Sequence, residues 1–458
     1  MKIIILGAGQ VGTTVAETLA GEENDITVVD SNAAKLEELK DRLDIRTVLG
    51  NASFPDILQQ AGADDADMIL ALTSSDETNM LACQVAYTLF HTPQKISRVR
   101  SPEYLERGKL FNRKALPIDE IISPHQEVTN YVGRLINNPG ALQVLNFAER
   151  RIQMVCVRAF EEGPLVGRQI SALKERLPNR DTRVAAVFRK NRAIMPRGDT
   201  IIEPNDEVFF VAAKRDIRSV MNELRRVDKD YRSIMIIGGG NIGEQLARDL
   251  ESDYRVKILE RNNRRCHYLA EQLQRTIVIH GDGADRELLL EENIEGVDVF
   301  CALTDNDEIN IMTSMLAKNL GAGKVMTLIN NPAYVDLMQG GSIDIAISPQ
   351  QITVSRLLRH IRRGDIVQVH SLRRGAAEAL EVVARGDKES SKVVGRALDE
   401  IELPTGTVIG AIARGQEVLM AHHDVVIEPN DHLILFLNDK SKIGAVERLF
   451  QVGLSFFS

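Results

Sequence analysis

The amino-acid sequence predicts an α/β protein of two tandem parallel-sheet domains, each followed by a small α+β domain. Three observations carry this expectation. Strand-like and helix-like apolar runs alternate through the first third of the chain, a glycine-rich segment returns near its middle with the same neighbours, and a strand-rich stretch with an Ile-Glu-Pro-Asn-Asp turn follows each copy. At 458 residues the chain exceeds one ordinary core, and roughly 100–200 residues per domain allows three or four.

In order, Ile3 to Leu6 reads as a buried strand, Thr13 to Ala20 as a helix, Ile26 to Val29 as a strand and Ala33 to Leu43 as a helix. Thr47 to Leu49 then reads as a strand, Phe54 to Ala61 as a helix, Met68 to Leu72 as a strand and Thr78 to Leu89 as a helix. Ile96 to Val99 and the short Glu120 to Ile122 complete the strands, and a helix around Glu127 to Asn137 leaves the sheet. Strands joined by helices in this way form a parallel, doubly wound sheet.

The whole series repeats. IIILGAGQVG returns as IMIIGGGNIG, so that Gly7, Gly9 and Gly12 are matched by Gly238, Gly240 and Gly243, 231 positions on. Gly50, Asp67, Ala71-Leu72-Thr73, Asp76 and Asn79 find Gly281, Asp298, Ala302-Leu303-Thr304, Asp307 and Asn310 at the same offset. Ile122-Ser123-Pro124 answers to Ile347-Ser348-Pro349, and Ile202 to Asp206 to Ile427 to Asp431, both at an offset of 225. Pro presets φ and Asn or Asp closes a local hydrogen bond, so these last segments read as turns between short strands. The order is A-B-A′-B′, with expected domains at 1–138, 143–227, 231–350 and 366–453.

Composition narrows the function classes. With 44% hydrophobic and 26% charged residues the chain is expected to fold throughout. A formal net charge of −9 opposes nucleic acid as a partner, because phosphate contacts dominate such binding. One modest basic patch, Arg356, Arg359, His360, Arg362 and Arg363, reads as a solvated helix face in preference to a docking surface. No run reaches the roughly 20 apolar residues of a membrane span, and Met1-Lys2 leads directly into a strand pattern, so a cytoplasmic protein is expected. Cys83, Cys156, Cys266 and Cys301 are widely separated, which predicts buried reduced thiols and neither a zinc site nor a redox pair. His422-His423, taken as strand neighbours pointing to opposite faces, is a poor metal site.

The chemistry lies in the glycines. A lone G-x-G-x-x-G is weak evidence, but here each copy follows a strand, opens a helix and has an acid at the end of the next strand. Gly7 permits the tight turn, Gly9 admits a pyrophosphate to the backbone, and Gly12 lets helix and sheet pack closely, while the helix N-terminus offers free N–H groups. Asp30 is placed for the hydroxyls of an adenosine ribose and repels a 2′-phosphate, favouring NAD+/NADH. Gly238, Gly240, Gly243 and Glu260 reproduce the pattern, although Arg261 beside the acid makes the second ligand's identity less certain. Thr73-Ser74 and Thr304-Asp305 lie at carboxyl ends of strands and read either as ribose or adenine contacts or as simple turns. Arg98 and Arg100 share a strand face, and either one reaches the pyrophosphate or both are solvated. The counterpart of Arg98 is Leu328, so the two sites are not equivalent.

An NAD-dependent oxidoreductase is the alternative reading. It would need a proton-transfer group and a catalytic domain that forms a cleft with the cofactor. Unit B is small, its first copy contains no histidine, and its Glu-Pro-Asn-Asp run is better explained as a turn than as paired acids.

Taken together, IIILGAGQVG, the ITVVD strand, the ADMILALTSSDETNMLACQVA segment, the ISPQQ run and the twin IEPND turns resemble the Trk-type members of the RCK (KTN) family, whose domains regulate potassium conductance. The resemblance spans nearly the whole chain. It implies a Rossmann-like nucleotide-binding lobe and a small carboxyl-terminal lobe in each half. It further implies a homotetrameric ring docked on the cytoplasmic face of a Trk-type membrane potassium-translocating subunit, peripheral to the inner membrane. NAD+/NADH is the implied ligand, with ATP/ADP as the alternative. The family's contacts fall on Gly7, Ala8, Gly9, Gln10, Val11, Gly12, Asp30, Thr73, Ser74 and Arg98. By internal homology they fall on Gly238, Gly239, Gly240, Asn241, Ile242, Gly243, Glu260 and Thr304.

Overall fold

The structure, a computed structural model, describes every residue except 21–23, 179, 191, 226–229, 339–342, 362–364, 373–376 and 453–458. Arg362, Arg363 and the expected boundary residues 227 and 453 therefore lie outside the described residues.

The first lobe is a parallel sheet in the order β3-β2-β1-β4-β5-β6, built from β1 (Lys2–Leu6), β2 (Asp25–Asp30), β3 (Arg46–Leu49), β4 (Met68–Ala71), β5 (Gln94–Arg98) and β6 (Glu120–Ile122). Ile3 to Leu6 are buried on both faces, which is why the central strand of a helix-covered parallel sheet reads as a continuous apolar run. Between the strands run α1 (Gln10–Ala20), α2 (Ala33–Arg42), α3 (Pro55–Gln60), α4 (Asp76–Phe90) and α5 (Pro102–Leu105). Helix starts have local causes: the Asn32 side chain accepts from Ala34 N at 3.0 Å, the Ser75 hydroxyl accepts from Thr78 N at 3.1 Å, and Pro55 fills the first position of α3. Helix α6 (Pro124–Ile136) follows the sheet. Only α5 and its flanking turns had no counterpart in the apolar pattern, because so short a helix shows no period.

The next lobe is antiparallel, in the order β10-β9-β11-β8-β7, from β7 (Ala141–Phe147), β8 (Ile152–Arg158), β9 (Thr182–Arg189), β10 (Arg192–Ile194) and β11 (Glu207–Ala213), with α7 (Ala172–Arg176) and α8 (Ile217–Met221).

The second parallel sheet runs β14-β13-β12-β15-β16-β17, from β12 (Ser233–Ile237), β13 (Arg255–Glu260), β14 (Ile277–His280), β15 (Val299–Ala302), β16 (Lys324–Leu328) and β17 (Ile345–Ile347). Its helices are α9 (Asn241–Leu250), α10 (Asn263–Gln272), α11 (Arg286–Glu291), α12 (Asp307–Asn319), α13 (Pro332–Met338) and α14 (Pro349–Ile361). The last lobe, ordered β18-β19-β22-β20-β21, comprises β18 (Ile366–Leu372), β19 (Ala377–Val383), β20 (Thr407–Arg414), β21 (Glu417–Met420), β22 (His432–Leu437) and α15 (Ile443–Phe450). Each half thus has the same topology, as a duplicated sequence requires.

The chain divides into two compact units, Met1–Val128 with Pro349–Leu358, and Thr129–Ser348 with Arg359–Ser458. Most of α14 thus belongs with the first parallel sheet, although it directly follows the second in sequence. There Arg356 pairs with Glu120 at 2.8 Å and Glu127 at 3.5 Å. The basic patch is corrected accordingly: Arg356 is half-buried and paired with two glutamates, so it is not a freely solvated charge.

Within the larger unit the two antiparallel lobes share one core, in which Phe147, Met154 and Phe209 of the first join Leu372, Ile434 and Phe436 of the second. Each such buried side chain contributes roughly 1.5–3 kcal/mol. The twin Pro-Asn-Asp turns place Asn205 and Asn430 at φ 69° and 67°, left-handed values that asparagine tolerates. Asp206 and Asp431, each about 1% exposed, receive a two-pronged pair from Arg189 (2.9 and 2.8 Å) and Arg414 (2.9 and 2.7 Å). His422 and His423 lie in a turn after β21, not in a strand, and His422 sits 3.2 Å from Asp181. Among the described residues no group of His, Cys, Asp and Glu could hold a metal, and no helix is long and apolar enough to cross a membrane.

Two outcomes are expected. Asp206→Ala removes the buried carboxylate that accepts from Arg189 and from Glu203 N, leaving Arg189 with Glu203 and the Ile201 carbonyl, and should lower the unfolding free energy by about 1–3 kcal/mol, measured as a shift of the urea midpoint at constant slope. All four cysteines are buried, and burial pushes the Cys83 and Cys301 thiols up to about 12. The native chain at pH 8 should therefore resist a thiol reagent that reacts with it fully in urea.

Candidate functional site

The first crevice lies where the sheet order reverses, between β1 and β4, at the carboxyl ends of the strands, the place where open parallel sheets bind ligands. Gly7 has φ +107° and donates to Val29 O at 2.7 Å. A Cβ on Gly12 would sit 1.9 Å from the Gly7 carbonyl oxygen, so α1 packs directly on the turn. A Cβ on Gly9 would meet nothing within 4 Å. The turn thus leaves Gly9 facing open space, while the other two glycines are required by packing and backbone geometry. Helix α1 has no acid in its first turn, which preserves the positive end of its dipole. Gln10 is exposed and Val11 half-buried beside it.

Asp30 does more than wait for a ribose. Its carboxylate accepts from Ala8 N at 2.6 Å and from Asn32 N at 2.8 Å. These bonds fix the acid against the glycine turn, and each oxygen keeps a lone pair for a ligand hydroxyl.

On the other side of the switch, Asn79 is fully buried and holds two strand ends together. Its Oδ1 accepts from Thr73 N (2.9 Å) and the Thr73 hydroxyl (2.7 Å), and its Nδ2 donates to Thr73 O (3.2 Å) and Arg98 O (3.0 Å). The Thr73 hydroxyl is therefore engaged internally, whereas Ser74 is exposed. Arg100 is tied to Asp76 and to the Ser74 carbonyl. Arg98 donates to Thr73 O at 2.5 Å, but its Nε is buried without a hydrogen-bond partner among the described residues. Burial, assisted by the neighbouring Arg100, lowers the Arg98 pKa to about 10. A part-buried cation with one donor unused, beside an open glycine cradle, suits an anionic ligand. Gln350 of α14 donates to Gln10 O at 3.0 Å and also to Thr14, so this helix grips α1 at its first turn.

The second crevice repeats the frame. Gly238 has φ +97°, a Cβ on Gly243 would lie 2.0 Å from Gly238 O, and Gly240 faces open space. Glu260 accepts from Gly239 N and Asn262 N, both at 2.7 Å. Asn241 is exposed and Ile242 half-buried at the start of α9. Asn310 holds Thr304 N at 2.9 Å and Leu328 O at 3.0 Å, confirming Leu328 as the counterpart of Arg98. Here, however, Arg265 bridges the mouth by donating to Gly239 O and to Glu244, both at 2.6 Å.

The roles of Asn79, Asn310, Arg265 and Glu244 were not apparent from residue types, although the two asparagines do recur at the repeat offset. A separate cleft of about 450 Å³ opens beside Gly140, Phe160, Arg225 and Asp298. Its Arg225 stacks on Phe160 and donates to Gly140 O.

Comparison with known proteins agrees with this geometry. The TrkA-N domain model matches residues 3–124 and 234–349, and the TrkA-C domain model matches 157–225 and 387–451. The chain is 63% identical to the Trk system potassium uptake protein TrkA of Halomonas elongata, covering 100% of both chains. It is 62% identical to that of Vibrio alginolyticus, covering 98% of this chain and 99% of the relative. Among solved structures, the GsuK RCK domain aligns with a TM-score of 0.59 at 17% identity, covering 98% of this chain and 94% of that one. The GsuK channel bound to NAD aligns at 0.60 and 17%, covering 97% and 79%. At such identity these two establish the fold alone.

The glycines separate packing from binding. Gly12→Ala should cost about 1–3 kcal/mol through overpacking against Gly7, whereas Gly9→Ala should change stability by less than about 0.5 kcal/mol. Thermal unfolding of both variants checks the contrast.

Proposed function

The chain belongs to the TrkA family, and from that premise we propose that it is the cytoplasmic regulatory subunit of a Trk-type potassium uptake system, binding NAD(H) and gating a membrane potassium-translocating subunit. The observation that carries this reading is the glycine turn with an acid clamped to its amide, present twice in one chain. The expectation of a regulator and not an enzyme rests on family membership, since the relatives are named as potassium uptake proteins.

On this reading Gly7 to Gly12 and the α1 N-terminus hold the diphosphate, Asp30 accepts from the adenosine ribose, Ser74 lies at the rim and Arg98 supplies the cation. The matching positions Gly238 to Gly243, Glu260 and Thr304 form the second site. The four lobes at 1–138, 143–227, 231–350 and 366–453 assemble as a homotetrameric ring on the inner face of the membrane. A bound dinucleotide brings a diphosphate and two riboses, and it shifts the arrangement of lobes only by the difference in its affinity for the two states. NAD+ and NADH differ in ring charge, which allows a redox readout. ATP/ADP is the second reading, favoured by a cradle that would also accept a mononucleotide phosphate.

Calorimetric titration of the full chain with NAD+, NADH, ATP and ADP tests it. Dinucleotide should bind, Asp30→Ala should weaken it roughly 10- to 100-fold, the range for a hydrogen bond to a charged group, and Gly9→Ala should abolish it while the fold persists. Binding of ATP and ADP only would reject the dinucleotide reading. Steady consumption of NADH with a 2-hydroxy acid or carbonyl compound would reject the regulatory one.

A further inference from the structure

We infer that the second crevice is latched by its own side chains, so that the two nucleotide sites fill in order instead of together. This inference rests on the nucleotide reading above. The residue after the third glycine is Thr13 in the first crevice and Glu244 in the second. Each lies in the first turn of its helix, with its N–H bonded to the second glycine's carbonyl (2.8 and 2.9 Å). The third residue of the following helix is Lys35 in the first and Arg265 in the second.

In the second crevice these two positions close on each other. Arg265 Nη2 meets Glu244 Oε2 at 2.6 Å, Arg265 Nε meets Gly239 O at 2.6 Å, and the guanidinium stacks on Tyr268 at 4.6 Å. Arg248 holds the other carboxylate oxygen of Glu244 at 2.8 Å. Arg265 and Glu244 side chains are only 27% and 14% exposed, so the pair is partly desolvated and geometrically fixed, unlike a surface ion pair. Its effect on a ligand is twofold. The Glu244 carboxylate sits at the positive end of α9 and satisfies the field that a phosphate would use. Arg265 is committed to Glu244 and to the glycine turn itself. Thr13 offers no such charge, and α1 has no acid in its first turn. A diphosphate entering the second crevice must break the Glu244–Arg265 pair to reach the helix end; one entering the first meets no such pair.

The consequence is a chain whose response extends over a wider range of ligand concentration than two equal sites would give. The first crevice answers to scarce ligand and the second to abundant ligand.

The test is calorimetric titration of the full chain with NADH, comparing wild type with the graft E244T/R265K, which carries the first crevice's residues, and with E244Q, which keeps the shape and removes the charge. Wild type should show one tight step per chain, lost in Asp30→Ala. The graft should gain a second step at least about tenfold tighter than any second step of wild type, the scale of one charge-assisted bond, and E244Q should show the same gain in smaller measure. If the graft fails to unfold cooperatively, E244Q alone decides. Two equal tight steps in wild type, or a second step unmoved by both variants, would overturn the latch and leave the nucleotide reading standing. No NADH binding by any of the proteins would remove both.

Discussion

The contact between α1 and the turn that precedes it governs this protein. With no Cβ on Gly12, the helix settles on the Gly7 carbonyl at a distance where a methyl carbon would lie 1.9 Å away. That approach brings the helix N-terminus to the carboxyl edge of the sheet and points its free N–H groups across the switch between β1 and β4. The same contact, at 2.0 Å, recurs between Gly243 and Gly238. A larger residue at either position would lift the helix and separate the dipole from the strand tips. Ligand chemistry and helix packing are thus consequences of one steric fact.

Around that contact the crevice is held by hydrogen bonds made by side chains to backbone. Asp30 and Glu260 clamp the glycine turns from the second strand of each sheet. Asn79 and Asn310 join the ends of the fourth and fifth strands, and Asp76 and Asp307 receive the amides that follow the fifth. Each of these groups replaces water with a fixed partner, so the rim is preorganised before any ligand arrives. The halves also differ in side chains that reach over this frame, among them Arg98 against Leu328, Thr13 against Glu244 and Lys35 against Arg265. Duplication kept the scaffold and changed the lining.

The antiparallel lobes serve a different physical end. Neither buries its inner face alone, and their apolar residues form one core. Across it, the buried Glu381 carboxylate of β19 accepts from Ala148 N at 2.9 Å and pairs with His432 at 2.7 Å. Ala148, Glu149 and Arg150 all have positive φ, so this hairpin holds backbone strain that the neighbouring lobe helps to sustain. Pro349–Leu358 packs with the first parallel sheet and grips α1 through Gln350.

Much of this was legible in the residues. Apolar period and glycine spacing are local properties, so the strands of the first sheet, the turn-forming role of the Pro-Asn-Asp runs and the position of both crevices could be read directly. Self-similarity supplied the four-lobe order. Tertiary structure alone decided what depends on residues far apart in the chain. It turned Asp206 and Asp431 from turn formers into buried anchors for arginines, tied Arg100 down while leaving Arg98 Nε without a partner among the described residues, and paired Arg356 with Glu120 and Glu127. It also folded Arg265 onto Glu244, two residues that look like ordinary surface charges on separate helices. Hydrophobic periodicity reports which face of an element is buried, but the partner of a charged side chain is set by where the chain returns in space, and that information is spread over the whole fold.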